Sequence, residues 1–283
     1  MKNMAKQGGK VRVTDLLEMK RNARKIAMLT AYDATMAGIM DGAGIDVLLV
    51  GDSLGMVVFG EDTTVGVTLE KVIHHCRAVA NGTSRALIVA DLPFLTYHTG
   101  RADAIHNAGR LIQSGGASAV KLEGGAPAAE AVRALTEAGI PVMGHVGLLP
   151  QHVHKLGGFR TVGKRRNEAE QLLIDAHAIE DAGAFAIVVE KIPAELAQRV
   201  TNELSIPTIG IGAGPHCDGQ VLVSYDAFGL FQGFTPRFVK RYAELGAVMT
   251  EATRAYIDEV RSGAFPAAEH SIGAATAKGS AAE

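Results

Sequence analysis

The chain has 283 residues, 47% hydrophobic and 20% charged, with a formal net charge of −2. That is enough apolar material for a sizeable core, and the balanced charge excludes the strong basic excess of a nucleic-acid binder. Two cysteines, Cys76 and Cys217, lack CxxC spacing, which excludes a disulfide scaffold or a thiolate zinc site.

The opening MKNMAKQGGKVRV lacks the apolar run of a secretion signal, and no window approaches the roughly 18 apolar residues of a membrane span. The cytoplasm is the expected compartment. A short helix is predicted near TDLLEMKRN. Short apolar, β-branched runs then recur: KIAMLTAY (25–32), DVLLVGD (46–52), ALIVADLPF (86–94), AVKLEGG (119–125), PVMGHVG (141–147), AFAIVVEK (184–191), PTIGIGAG (207–214) and GQVLVSYDAFG (219–229). They are continuous rather than alternating, as in parallel strands covered on both faces.

Segments of helical period separate most of these runs. One starts at Thr68 and carries Leu69, Val72, Ile73, Cys76 and Val79; NEAEQLLIDAHAIEDAG follows at 167–183, and PAELAQRVTNEL at 193–204 opens on a proline. The lead-ins DGAGIDVLLV, QSGGASAVKL, TEAGIPVMG and EDAGAFAIVV share one plan, a helix ended by Gly before a strand. Such βα units predict a closed (β/α)8 TIM barrel, and no GxGxxG follows the first strand to favour an open sheet. One barrel domain is expected over 1–266, with helical extensions at both ends, the C-terminal one from about 235 to 262. The small polar stretch over 267–283 reads as a disordered tail.

In a barrel of this kind, catalytic groups come from the C-terminal ends of the strands. The second run ends in Asp52, the third in Asp91, the fourth in Lys121 and Glu123, the fifth in His145 and the sixth in Glu190. A lone carboxylate after a strand is commonly a helix cap, and Asp52 before Ser53 suits that role as well. Three anions at one rim repel unless a cation sits among them, and hard oxygen ligands without nearby Cys favour Mg2+. Lys121 and Glu123, two apart, leave the same face of their strand, while Asp52 shares parity with Leu48 and Val50.

Lys121 suits a substrate carboxylate or a developing oxyanion. Glu190, between Val189 and the Lys191-Ile192-Pro193 stretch, suits a partly desolvated general base for a carbon acid; an ion pair is the alternative. His145 is either a hydrogen-bonding substrate contact or a satisfied core histidine. His152 and His154 read as loop surface rather than a zinc pair. GIGAG at 210–214 is either a phosphate cradle or a close backbone approach, and GGFRTVGK at 157–164 is a candidate mobile lid.

Read together, LTAYDATMA (29–37), LLVGDSLGMVVFG (48–60), ADLPF (90–94), VKLEGG (120–125), GHVGLLPQ (144–151), GIGAG with DGQVLV (210–223) and FPAAEHS (265–271) resemble the ketopantoate hydroxymethyltransferase family. The resemblance runs from about residue 12 to 271. It implies a barrel of the phosphoenolpyruvate/pyruvate-binding type, assembled as a cytoplasmic homodecamer. It also implies Mg2+ as cofactor and 5,10-methylenetetrahydrofolate as cosubstrate. The implied reaction adds a hydroxymethyl group to 3-methyl-2-oxobutanoate, a 2-oxo acid, through a Mg-stabilised enolate. The product is 2-dehydropantoate, in pantothenate biosynthesis; neither a nucleic acid nor a membrane is an implied partner.

By motif, the resemblance implies Asp52 as a metal ligand and Ser53 as a substrate contact, with Asp91 as a second metal-site carboxylate acting through water. It implies Lys121 for the keto acid, Glu123 for the metal and Glu190 as the proton acceptor. Asp52, Asp91 and His145 join Ser53 and Lys121 in the expected substrate-binding set. Leu149 departs from the family's frequent Thr before PQ. The nearest alternative is another metal-dependent barrel enzyme acting on 2-oxo acids, of the isocitrate lyase or phosphonomutase type. Its expected Cys-bearing loop is not evident. A noncatalytic binding barrel leaves the acidic set unexplained.

Overall fold

Eight parallel strands pair in sequence order and close on themselves: β1 Ile26–Thr30, β2 Val47–Val50, β3 Leu87–Asp91, β4 Ala119–Lys121, β5 Val142–Gly147, β6 Ala186–Glu190, β7 Thr208–Ile211 and β8 Gly219–Leu222. β8 returns to β1 with Met28 opposite Val221, which seals the barrel. Each strand lies inside one of the eight predicted runs, and helices fill the crossovers, so the (β/α)8 expectation holds. This computed structural model describes residues 9–272. The first eight residues of the stretch read for a secretion signal, and 273–283 of the predicted tail, lie outside the described residues; 267–272 contain a 3-10 turn at Ala268–His270.

The barrel is filled by alternation. One apolar cluster draws Ile26 and Met28, Val47 and Leu49, Leu87 and Val89, Ala119, Met143, Ala186 and Val188, Ile209 and Val221 from the eight strands. These are every second residue, the inward side of each strand. The neighbours of opposite parity, such as Leu48, Val50, Ile88 and Val120, face the helices and are equally dry, which is why the runs read as continuous. Leu16 and Met19 of the helix Val13–Arg21 belong to the same cluster as the strand-start residues. They plug the end of the barrel opposite the acidic rim.

The helix Leu69–Gly82 starts as read: Thr68 accepts the Lys71 amide at 3.3 Å, and Leu69, Val72, Cys76 and Val79 form its buried stripe. By contact density the chain divides into two units, Met1–Ser224 and Tyr225–Glu283. In the second unit the helix is Leu245–Ser262, beginning ten residues after the predicted start. Residues 242–246 instead give their amides to a preceding turn: Tyr242 to Ala227, Leu245 to Phe228 and Gly246 to Gly229. With those donors spent on the turn, the helix starts only once they are satisfied.

Candidate active site

Strands β3 to β6 aim inward positions near their C-terminal ends at one rim. Asp91 continues the inward series Leu87 and Val89, Lys121 follows Ala119, His145 follows Met143, and Glu190 follows Ala186 and Val188. The register sets Asp91 beside Lys121 and Gly147 beside Glu190. Asp91, Lys121, Glu123 and His145 are buried, each at most 4% exposed, so their charges must answer one another.

Asp52 arrives differently from the sequence expectation. Its parity with Leu48 and Val50 is that of the outward face, because the inward residues of β2 are Val47 and Leu49. The strand ends at Val50, and the next inward position is Gly51. A Cβ on Gly51 would stand 3.0 Å from Ser53 Oγ and 3.2 Å from Asp91 Oδ2, so the missing side chain makes room for both. The turn then brings Asp52 over the rim, where its amide donates to Asp91 Oδ2 at 3.0 Å. Its carboxylate is no helix cap: Oδ2 accepts from Gln151 Nε2 at 2.9 Å.

The charges are unequal. Lys121 Nζ pairs with Asp91 Oδ1. Burial would pull the Lys121 ammonium down, but Asp91, Glu123 and Asp52 outweigh it and hold it protonated. His145 lies between two carboxylates, with Nδ1 3.6 Å from Glu123 Oε1 and Nε2 3.2 Å from Glu190 Oε2. Burial opposes its charge; the two carboxylates raise its pKa to about 9. Neither ring nitrogen has an aligned hydrogen-bond partner among the described residues, and the two carboxylates are its charged neighbours. Burial pushes Glu123 up as well, yet His145, Lys121 and the Gln151 amide together hold it low. Asp52 is pushed well above the usual carboxylate range by burial, then by Asp91 and Glu123.

Three neighbours were not singled out in the sequence. Gln151 and Tyr97, both buried, bridge the carboxylates, and the Tyr32 hydroxyl lies 2.8 Å from Ser53 Oγ. Two of them carried only motif membership as a signal, Gln151 closing GHVGLLPQ and Tyr32 within LTAYDATMA, and Tyr97 lies outside every quoted motif. His154 is exposed and His152 half-buried. In GIGAG the Gln220 side chain donates to the Gly214 carbonyl at 2.9 Å, while the stretch 157–164 is tied to the residue after Glu190, Val162 N donating to Lys191 O at 3.1 Å. A cavity of about 460 Å3, lined by Val146, Leu149, Asn167 and Gln171 among others, lies on the outward side of β5 and apart from the carboxylates.

Among the described residues no three His, Cys, Asp or Glu side chains converge into a ready-made metal cage. The donor set nevertheless fits Mg2+, which binds through one or two carboxylates and keeps other positions for water and substrate oxygens. The observation behind that fit is Asp52, a buried carboxylate destabilised by two others and held by a neutral amide.

The family described as ketopantoate hydroxymethyltransferase matches residues 10–268. The 3-methyl-2-oxobutanoate hydroxymethyltransferase of Oleidesulfovibrio alaskensis is 58% identical over 253 residues, 89% of this chain and 88% of that one. The enzyme of the same name from Pelobacter propionicus is 53% identical over 263 residues, 93% of this chain and 97% of that one. Among solved structures, phosphonopyruvate hydrolase in complex with oxalate and Mg2+ superposes with a TM-score of 0.61 at 13% identity, covering 92% of this chain and 93% of that one. A 2,3-dimethylmalate lyase of the PEP mutase/isocitrate lyase superfamily gives 0.56 at 18%, covering 89% and 88%. The structural likeness carries the fold, and the sequence likeness carries the finer assignment: the chain belongs to the ketopantoate hydroxymethyltransferase family.

Proposed function

We propose that the protein is a Mg2+-dependent 3-methyl-2-oxobutanoate hydroxymethyltransferase that takes its one-carbon unit from 5,10-methylenetetrahydrofolate and releases 2-dehydropantoate. The observation that supports this most is the gathering of Asp52, Asp91, Glu123 and Lys121 on one rim, in a chain whose close relatives carry that name. Asp52 and Glu123 would hold the ion, with Asp91 behind them. Bound there, Mg2+ would supply Lewis-acid polarisation of the keto oxygen and stabilise the enolate.

The chain's own groups do the rest. Lys121 offers a fixed positive charge to the acid, and Ser53, held by Tyr32, offers a hydroxyl. Glu190, with its side chain 15% exposed, is largely shielded from water, which suits a base for a weak carbon acid. It takes the C3 proton, and the adjacent His145, 3.2 Å away, contacts the substrate. The carbanion so formed attacks the one-carbon unit, water supplies the hydroxyl, and both C–N bonds to the folate break, its nitrogens taking the C3 proton and the remaining water proton as tetrahydrofolate leaves.

Assembly and compartment follow the same reading. No residue of the helix Leu245–Ser262 is buried, and Val248, Met249, Tyr256 and Val260 are exposed on it. Those apolar side chains are available to a partner surface. The family's homodecamer supplies one. Both cysteines are free and buried, and among the described residues no helix is long and apolar enough to cross a membrane, in keeping with the cytoplasm.

The test is turnover. The protein, given 3-methyl-2-oxobutanoate, 5,10-methylenetetrahydrofolate and Mg2+, should form 2-dehydropantoate and tetrahydrofolate, and EDTA should stop it. Product formation that survives EDTA would overturn the metal assignment; no product from the complete mixture would overturn the reaction.

A further inference from the structure

Gln151 touches more of the acidic rim than any residue named so far, yet it carries no charge and belongs to the turn after β5. Its Nε2 donates to Asp52 Oδ2 at 2.9 Å and to the Leu92 carbonyl at 3.0 Å. Its backbone amide donates to Glu123 Oε2 at 3.0 Å. Its Oε1 lies 2.8 Å from the Tyr97 hydroxyl, which is also 2.9 Å from the Glu123 carbonyl and accepts the Glu123 amide at 3.2 Å. One residue thus ties the ends of β2, β3 and β4 to the loop after β5.

The amide has a single workable orientation. Asp52 Oδ2 and Leu92 O are both acceptors, so only the NH2 end fits between them, and the flipped amide would set three oxygens together. The choice of an amide also matters. Asp91 is neutralised by Lys121, whereas Gln151 orders Asp52 and Glu123 without cancelling their charge. A Lys or Arg in its place would compete with a cation; a hydrocarbon would leave the carboxylates free to turn away from one another.

We propose that Gln151 is a positioning residue that holds Asp52 and Glu123 in the arrangement that receives the divalent cation, and that Tyr97 holds Gln151. The inference rests on the reading of Asp52 and Glu123 as the metal ligands. Groups that orient metal ligands this way are worth about 10- to 100-fold in metal affinity.

The experiment is Mn2+ titration of the full chain, followed by electron paramagnetic resonance with thermal unfolding alongside. It compares wild type, Gln151→Met, Tyr97→Phe and, as reference, Asp52→Asn. Gln151→Met should bind Mn2+ about 10- to 100-fold more weakly. Tyr97→Phe should shift affinity the same way by a smaller factor. If Asp52→Asn loses Mn2+ while Gln151→Met binds like wild type, the positioning role is overturned and the ligand assignment survives, even where the variant melts earlier. If wild type itself takes up no Mn2+, or Asp52→Asn binds as well as wild type, the ligand assignment fails. Should Gln151→Met not fold, Tyr97→Phe decides: wild-type affinity overturns the inference, and a several-fold loss at unchanged melting temperature supports it.

Discussion

His145 links the two halves of the site: Nε2 is 3.2 Å from Glu190 Oε2, and Nδ1 faces Glu123 Oε1 at 3.6 Å. With a carboxylate on either side the imidazolium is the favoured form, and neither ring nitrogen makes an aligned hydrogen bond among the described residues.

Glu190→Gln separates binding from proton transfer. The amide keeps the shape and loses the basicity, so 3-methyl-2-oxobutanoate should bind with near-normal affinity. Deuterium exchange at C3, followed by proton NMR in D2O, should fall by about 10^2- to 10^4-fold. Exchange at the wild-type rate would remove Glu190 from the base role.

The Lys121–Asp91 pair is buried on both sides, with side chains 4% and 3% exposed. Lys121→Met leaves Asp91 as an uncompensated buried charge, which costs about 3–5 kcal/mol. Urea unfolding in metal-free buffer should show that loss. The double variant with Asp91→Asn should recover part of it, because the stranded charge is gone. Simple additivity of the two single losses would show that the pair is not coupled.

The strands were legible because continuous apolar runs carry the signal of a doubly covered parallel sheet, and the ionisable strand ends stood out against them. Asp91, Lys121, His145 and Glu190 could be gathered by counting in twos. Asp52 could not: the period-2 rule stops with the strand at Val50, and a turn through Gly51 decides where its carboxylate goes. Gln151 and Tyr97 were illegible for a related reason. Gln151 meets Asp52 across 99 residues and Tyr97 across 54, and contacts between loops leave no periodic trace. The late start of the C-terminal helix was hidden likewise, in amides donated to residues 227–229.

Away from the site, Asp41 makes stability depend on pH. Its carboxylate accepts from the amides of Ser84, Arg85 and Ala86 at 2.9, 3.1 and 2.7 Å and from the Ser84 hydroxyl at 2.9 Å. Burial pushes its pKa up, but these donors, Ala86 foremost, outweigh burial and hold it below 3.8. The unfolded chain therefore binds this proton more readily than the folded one, so the contribution is complete above pH 3.8 and fades as pH falls through the lower folded value. Asp41→Asn should cost about 1.5–3 kcal/mol in urea unfolding at pH 7, on the scale of hydrogen bonds to charged groups. The gap between the two proteins should narrow once the pH is below the folded value. A gap that stays constant to strongly acidic pH would show that the charge of Asp41 is not what matters.

Gly147, at the end of β5, sets the position of Glu190. Its φ is +98°, and a Cβ there would stand 2.3 Å from the Glu190 carbonyl oxygen and 2.9 Å from Ile192 Cγ2. That carbonyl already accepts the Leu148 amide at 2.9 Å, so it cannot swing aside without breaking the turn after β5. Gly147→Ala should therefore move the strand that carries Glu190, and a displacement of about 1 Å at a reacting group costs on the order of 10^2-fold in rate. Gly139 is the control: its φ is +82°, and nothing lies within 4 Å of an added Cβ. Gly139→Ala carries the same backbone strain, about 1 kcal/mol of stability, without the collision. The expected result is a large fall in kcat for Gly147→Ala and a near-normal kcat for Gly139→Ala, with Mn2+ affinity kept in both. Equal kcat values would show that backbone strain alone, and not contact with Glu190, accounts for the glycine.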